Sequence, residues 1–517
     1  MERDWVKPVQ SASGSARSTI IFNVMEYGAV GDGRTLDTQA LQAAIDACAA
    51  RGGGTVWIPA GVYLTGSLFL RDHLTLVIDS GATLLGSQDP QDYPLIDSRW
   101  EGAYQPGYAP LIGGSGLRNI ALVGRGTIDG QGAAWWQRLR ERTLLYPRPR
   151  LVALADCQDV LIDGLTLTNS PSWTVNPVRC SDVNIQNLTI HNPPNSPNTD
   201  GINPDSCRDV HIANSHISVG DDCITIKAGT EREKPDKVAP CENITVTNCT
   251  MRAGHGGVVI GSEMSGGVRN VVISNCVFVG TDRGIRLKSR RGRGGVVEDV
   301  RINNIIMQDV ACPFSMNLYY ACGAWGDPLV ADKTARPLDA GTPRFRRIHF
   351  SHITARDVRF AAAFLYGLGE APLEDISFTD VSISLAQAAE AGFPDMADGL
   401  TAMQRAGFWI SNVRGLRLQN VEVENQLGSA LWVDNAAELE VAGFKNRTPS
   451  DSAPVIDLRN VEQGLIHGCQ ANRQTGVFIR LSGARTADMV LSGNHMFGAR
   501  LPISMAVEVP PEEVMLM

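Results

Sequence analysis

An internal repeat constrains this chain more than any other feature. The unit reads apolar, any, apolar, any, then a polar residue that is usually Asn, then apolar, any, apolar. It occurs at Val183–Ile190, Val210–Ile217, Ile244–Met251, Val271–Phe278 and Val300–Met307, and later copies start at Ile348, Ile376 and Leu416. Alternation over so few residues is a strand signal, and its recurrence marks a solenoid. Each unit holds two short strands separated by a polar bend, which predicts an all-β fold, a parallel β-helix with rungs about 4.8 Å apart. Asn suits the bends because it tolerates left-handed backbone angles and its amide can hydrogen-bond from rung to rung. Successive starts are separated by 27 to 48 residues, so loops of different length leave a constant coil. A leucine-rich repeat would need tighter periods of about 20–29 residues, and a β-propeller would need regular antiparallel blades.

The first part of the chain reads differently. Residues 37–50 form an amphipathic helix with Leu41, Ala44, Ile45 and Cys48 on one face, ended by Gly52–Gly54. Strands follow at 55–58, 62–64 and 74–78. A solenoid leaves an open apolar end, and this helix is placed to cap it. The expected organisation is an N-terminal extension over 1–20, a cap with the first strands over 21–115, a parallel β-helix catalytic domain over 116–503, and a C-terminal tail over 504–517. The rhythm breaks at 320–345 and 384–410, which read as loops projecting from the coil.

Composition narrows the partners. The chain has 517 residues and a net charge of −9, which disfavours nucleic acid and gives no long-range attraction for polyanions. An anionic substrate therefore requires a local basic cluster. No run approaches the roughly 18 apolar residues of a membrane span. The polar start, without an apolar run behind a basic end, reads as no secretory signal. A cytoplasmic protein is the expectation, or a periplasmic or secreted one if a leader has been removed. The 11 cysteines are scattered singly, which predicts buried free thiols rather than a disulfide framework. No spacing suggests a zinc site, and neither a metal nor a cofactor is expected.

Aligning the strand after each bend brings chemistry together. Asp200, Asp222, Gly256 and Arg283 fall in one register; Asp221, His255 and Asp282 fall one residue earlier; Arg286 and Lys288 lie just beyond. Four rungs span roughly 15 Å, the length of a few sugar rings. Glycosidic hydrolysis needs one carboxyl group to protonate the leaving oxygen and another to activate water. Asp221, between two acidic neighbours, is expected to keep a proton and to act as the acid, with Asp200 and Asp222 activating water. That division predicts a separation of about 6.5–9.5 Å and inversion at the anomeric carbon. Three carboxylates also suit calcium, but the nearby cations argue against a dedicated metal site. Arg286 and Lys288 alternate with Ile285 and Leu287, so they point outward together beside the acids. Arginine favours carboxylate recognition, so the expected sugar carries a carboxylate. Arg290, Arg291 and Arg293 continue the basic run and read equally well as a solvated loop.

The segments Asn198–Gly201, Gly220–Asp222, Gly254–Gly256 and Arg286–Lys288 resemble, in order, the four signature motifs of the polygalacturonases, glycoside hydrolase family 28. Tyr27–Gly33 and Gly53–Gly61 are similar to the N-terminal part of pectin-active β-helix enzymes. The resemblance implies a right-handed parallel β-helix and inverting hydrolysis of α-1,4-linked galacturonic acid, with a pectic polysaccharide or oligogalacturonate as substrate. It implies Asp221 as proton donor, Asp200 and Asp222 on the water, and His255 supporting the acid. It places Arg286 and Lys288 on the substrate carboxylate and Asn198 at the cleft, with Tyr319 or Tyr320 beside the sugar. Ser289–Gly295 resembles bacterial exo-acting members, and the two long loops are placed to block one end of a groove. Three rivals stay open: a hydrolase acting on rhamnogalacturonan or substituted pectin, a calcium-dependent pectate lyase, and a non-catalytic carbohydrate-binding solenoid.

Overall fold

The computed structural model describes residues 21–517 apart from residue 449, so the extension expected over 1–20 lies outside the described residues. The chain winds into a coil with three long parallel faces. The front sheet carries Ile112–Ser115, Val152–Ala155, Val175–Val178, Asp222–Ile226, Gly256–Gly261, Arg283–Lys288, Cys312–Asn317 and Ala361–Tyr366. Bridges at Ile202 and Asp205 join the strands on either side of them. The other two faces are made by the repeat units themselves. Within Val268–Val279 the chain crosses from one face to the next at Asn275, which holds φ of 56°.

The polar bend residue does what its chemistry predicts. Asn187, Asn214, Asn248, Asn275 and Asn304 all take left-handed angles. Their amides link rungs: Asn304 Nδ2 donates to Asn275 Oδ1 at 2.7 Å and Asn248 Nδ2 to Asn214 Oδ1 at 3.2 Å. Side chains that alternate inward fill the coil with stacked apolar rows. Phe350 lies parallel to Phe378 at 4.6 Å, with Phe314 and Phe408 against their edges. Cysteines fill such rows as small apolar groups, and ten of the 11 are buried and all are free.

The helix Thr38–Ala50 buries Leu41, Ala44, Ile45 and Cys48 over the first rung, as a cap must. The strands expected at 55–58, 62–64 and 74–78 occur at Gly54–Ile58, Gly61–Thr65 and Leu74–Ile78. Two boundaries differ from expectation. The strands before residue 115 pair in register with those after it, Leu74–Ile78 with Arg118–Gly124, so the coil runs through that position. Nor is 504–517 a free tail: Val514–Leu516 pairs in parallel with Ala487–Ser492. Its alternation is only three residues long, too short to register as a repeat. One antiparallel hairpin, Leu95–Trp100 with Ala103–Tyr108, leaves the coil and folds over the front face.

Candidate active site

The register expected from the repeat is present. Asp222 pairs with Gly256, and the Gly201 N–H donates to the Asp222 carbonyl at 3.0 Å, which sets Asp200 beside Asp222. The His255 N–H donates to the Asp221 carbonyl at 2.9 Å. Gly256 has a steric reason to be glycine, because a Cβ there would stand 3.2 Å from Asp222 Oδ1 and 2.4 Å from Val259. One carboxylate oxygen from each of Asp200, Asp221 and Asp222 lies within 4.8 Å of the others. The two motifs sit on adjacent rungs, which brings the three acids together.

Each acid has a different environment. Lys288 Nζ donates to Asp222 Oδ2 at 2.8 Å, and both side chains are buried. Asp221 Oδ1 accepts from the Asp222 N–H at 3.0 Å and faces His255 Nδ1 at 3.2 Å. Asp200 accepts from Thr225 Oγ1 at 3.2 Å. Burial pushes the Asp200 carboxyl well above the usual carboxylate range, and its charged neighbours Asp221 and Asp222 add to this. Burial also works upward on Asp221, but its hydrogen bond and attraction to His255 outweigh it and hold Asp221 at about 2. The same contact, opposed by burial, raises His255 above its usual value. In the resting contacts the anion is favoured at Asp221, beside His255, and the neutral form at Asp200. Counting neighbouring acids found the repulsion, but the imidazole falls on Asp221 and leaves Asp200 as the member without a close cation.

The basic residues divide into two groups. Lys288, Arg290 and Arg293 line a pocket of about 280 Å³ with the acids. Arg286 is only 2% exposed and does not reach it. Its Nη2 donates to Asp395 Oδ1 at 2.6 Å, and Nη1 stands 3.9 Å from Asp222 Oδ1. Arg286 thus supports the acids from beneath instead of presenting a free fork to a sugar carboxylate. Arg291 is likewise turned away and holds Glu370 through Nε at 2.6 Å and Nη2 at 2.9 Å. Tyr320 lines the pocket, with the Arg286 and Lys288 cations 5.3 and 5.2 Å from its ring centre. Tyr319 packs inward on Tyr366 at 4.4 Å, so of the two tyrosines Tyr320 is the one beside the site. Asn198 lines the pocket, its Oδ1 accepting from Arg148 at 2.7 Å.

Several pocket residues escaped the sequence reading. Lys227 directly follows the strand Asp222–Ile226 and alternates with Thr225 against the inward Ile224 and Ile226; the same alternation that singled out Lys288 would have found it. Lys227 pairs with Glu263 at 2.8 Å and lies 4.3 Å from the Trp173 ring centre. Glu101 comes from the hairpin tip, and Asp395, which meets Arg286 outside the pocket, comes from a loop; neither lies in a repeat, and nothing in the sequence marks them.

Comparison with known proteins agrees with this geometry. Residues 48–390 match the profile of Glycosyl hydrolases family 28. The chain is 37% identical over 378 residues to a probable polygalacturonase of Vitis vinifera, covering 71% of this chain and 75% of that one. It is 31% identical over 341 residues to an exo-poly-alpha-D-galacturonosidase of Dickeya chrysanthemi, covering 56% of each. Among solved structures, the exopolygalacturonase of Thermotoga maritima superposes with a TM-score of 0.66 at 28% identity, covering 78% of this chain and 91% of that one. The fold is the right-handed parallel β-helix. With the signature residues gathered on one face and the profile spanning most of the coil, the chain belongs to glycosyl hydrolases family 28, the polygalacturonases.

Proposed function

We propose that this polygalacturonase is exo-acting and removes single galacturonic acid residues from the end of pectin-derived oligomers. The observation that carries the reading is a wall that bounds the pocket at one end. This wall, on the side of the earlier rungs, is built by Glu101, Trp173 and the loop containing Glu231 and Arg232. A groove that admitted the middle of a polymer would be open along the coil axis on both sides of the acids. Of the pocket cations, Lys227, Lys288 and Arg293 are paired to Glu263, Asp222 and Glu231, and Arg290, which among the described residues donates only to the Cys322 carbonyl, is left to meet the uronate. In a dry site such a cation acts on a carboxylate far more strongly than in water.

In this reading the His255–Asp221 pair holds one proton and delivers it from Asp221 to the glycosidic oxygen. Asp222, kept anionic by Lys288, takes a proton from the attacking water, and Asp200 shares its hydrogen bonds. Arg286 positions Asp222 and is not itself a substrate ligand. Inversion is the outcome implied by the family resemblance, and retention is the alternative. Proton NMR of the first-formed anomer distinguishes the two. Mass analysis of products from a defined oligogalacturonate tests the exo mode. Galacturonic acid alone at early times supports it, and an early ladder of oligomers removes it. Galacturonate released more readily from branched oligomers would point to rhamnogalacturonan or substituted pectin.

A further inference from the structure

The wall that bounds the pocket stands outside the coil, and a second cavity lies behind it. The hairpin Leu95–Tyr108 ends in a tight two-residue turn at Glu101 and Gly102, with φ of 47° and 77°. The residue two before the tip, Arg99, is buried and ion-paired to both Asp205 and Glu233, which are also buried. Asp205 lies on the front sheet, where it bridges to Lys227, and Glu233 lies in the loop beside the pocket. Trp100 stacks on Trp173 at 4.8 Å, and Gly102 sits so close to Thr230 that a Cβ would overlap its side chain. The tip is therefore fastened by charge, by an aromatic stack and by close packing.

Behind the tip, a second cavity of about 320 Å³ lies between the hairpin and the earlier front strands. Its floor includes Gly113, Ala153 and Val178, one from each of three successive rungs, a length of roughly 10 Å. Arg148, Arg150 and Arg179 line it, and Arg150 Nε is buried without a hydrogen-bond partner. It is in line with the catalytic pocket along the same sheet, and Arg99 and Arg148 separate the two. Arg179 is held by Asp156 and Arg148 by the Pro171 and Pro197 carbonyls and Asn198, so Arg150 is the cation left to meet a further uronate residue of the same polymer.

We infer that the Arg99 lock to Asp205 and Glu233 is the device that makes this enzyme exo-acting, by holding the hairpin tip as an end-stop across a groove that otherwise runs on through the cavity behind it. The inference rests on the exo reading above and names the residues that enforce it. None of Arg99, Asp205 and Glu233 lies among the acids that carry the reaction.

The test compares the wild type with two variants that release the tip by different means. Arg99→Met removes both ion pairs, and Gly102→Ala wedges the tip away from Thr230. Each is checked for a cooperative thermal transition and assayed on two substrates: a hexagalacturonate, and the same oligomer with its non-reducing terminal O4 blocked. The wild type is expected to yield monomer only and to cut the blocked oligomer at least 100-fold more slowly. Either folded variant is expected to release dimer and trimer early and to narrow that ratio at least tenfold. A wild type that produces a ladder, or cuts both oligomers equally, overturns the exo reading itself. A monomer-only wild type with folded variants that stay monomer-only overturns the lock and leaves the exo reading standing. Should Arg99→Met fail to fold, Glu233→Gln, which removes one of the two ion pairs and keeps the side-chain shape, decides in its place with the same expected outcomes.

Discussion

At the scale of single residues, the site depends on how three adjacent carboxyl groups are made unequal. Asp222 has an ammonium, Asp221 has an imidazole, and Asp200 has neither in direct contact. Asp221→Asn is expected to lower kcat by about 10³-fold or more while oligomer binding, read by calorimetry, is largely kept. Full activity would sink the assignment of the acid. The pH dependence follows from the shifts. His255 is raised, so its stabilising share is complete below its ordinary 6.5 and is lost as pH rises through the raised value. Asp221 is lowered, so its share is present above its ordinary 3.8 and is lost as pH falls towards about 2. Asp200 has the opposite sign and opposes folding once pH passes its ordinary 3.8. In His255→Gln the acid loses the partner that holds its proton. The alkaline limb of the kcat/KM profile should then move to lower pH, with turnover at neutral pH about 10²-fold down. An unmoved limb would show that another group sets it.

At the scale of elements, the front strands are held to their covering loop by one buried ion pair. Arg286 and Asp395 are both essentially unexposed, and Arg283 fixes the same loop by donating to the Pro394 and Phe393 carbonyls at 2.8 Å. Asp395→Ala leaves an arginine buried without its partner and should destabilise the fold by about 3–5 kcal/mol in chemical denaturation. A loss below 1 kcal/mol would mean that the loop is held by other contacts. The bends give a smaller, repeated effect. Asn275→Ala should cost about 1–2 kcal/mol, because alanine meets the left-handed penalty without the amide that links to Asn304. Asn275→Gly keeps the backbone freedom and should cost less; the reverse order would place the stability in the amide ladder.

At the scale of the whole molecule, the coil has one long apolar interior, and the cysteines belong to it. Ten are buried and free, while Cys322 is exposed at the pocket wall. Native protein should therefore react with a small aromatic disulfide at one thiol, and denatured protein at 11. Reducing agent should leave the thermal transition in place. Two or more thiols reacting quickly in the native state would contradict the packing of the interior.

The coil was legible in the sequence because a solenoid repeats its local pattern. Alternation gives the strands, Asn gives the bends, and the phase of each unit gives the register that stacks Asp200, Asp222 and Gly256. The amphipathic phase of residues 37–50 likewise gave the capping helix. What only the tertiary structure decided lies in the segments without a repeat. The hairpin over the front face, the turn of Asp395 onto Arg286, and the choice of Tyr320 over Tyr319 depend on where loops land. A loop's landing place is set by contacts with residues distant in sequence, such as Arg99 with Glu233, and these leave no local pattern to read. The same holds for the protonation of the triad. Which aspartates are neighbours follows from the repeat, but which one keeps the proton depends on burial and on the reach of His255 and Lys288 in space.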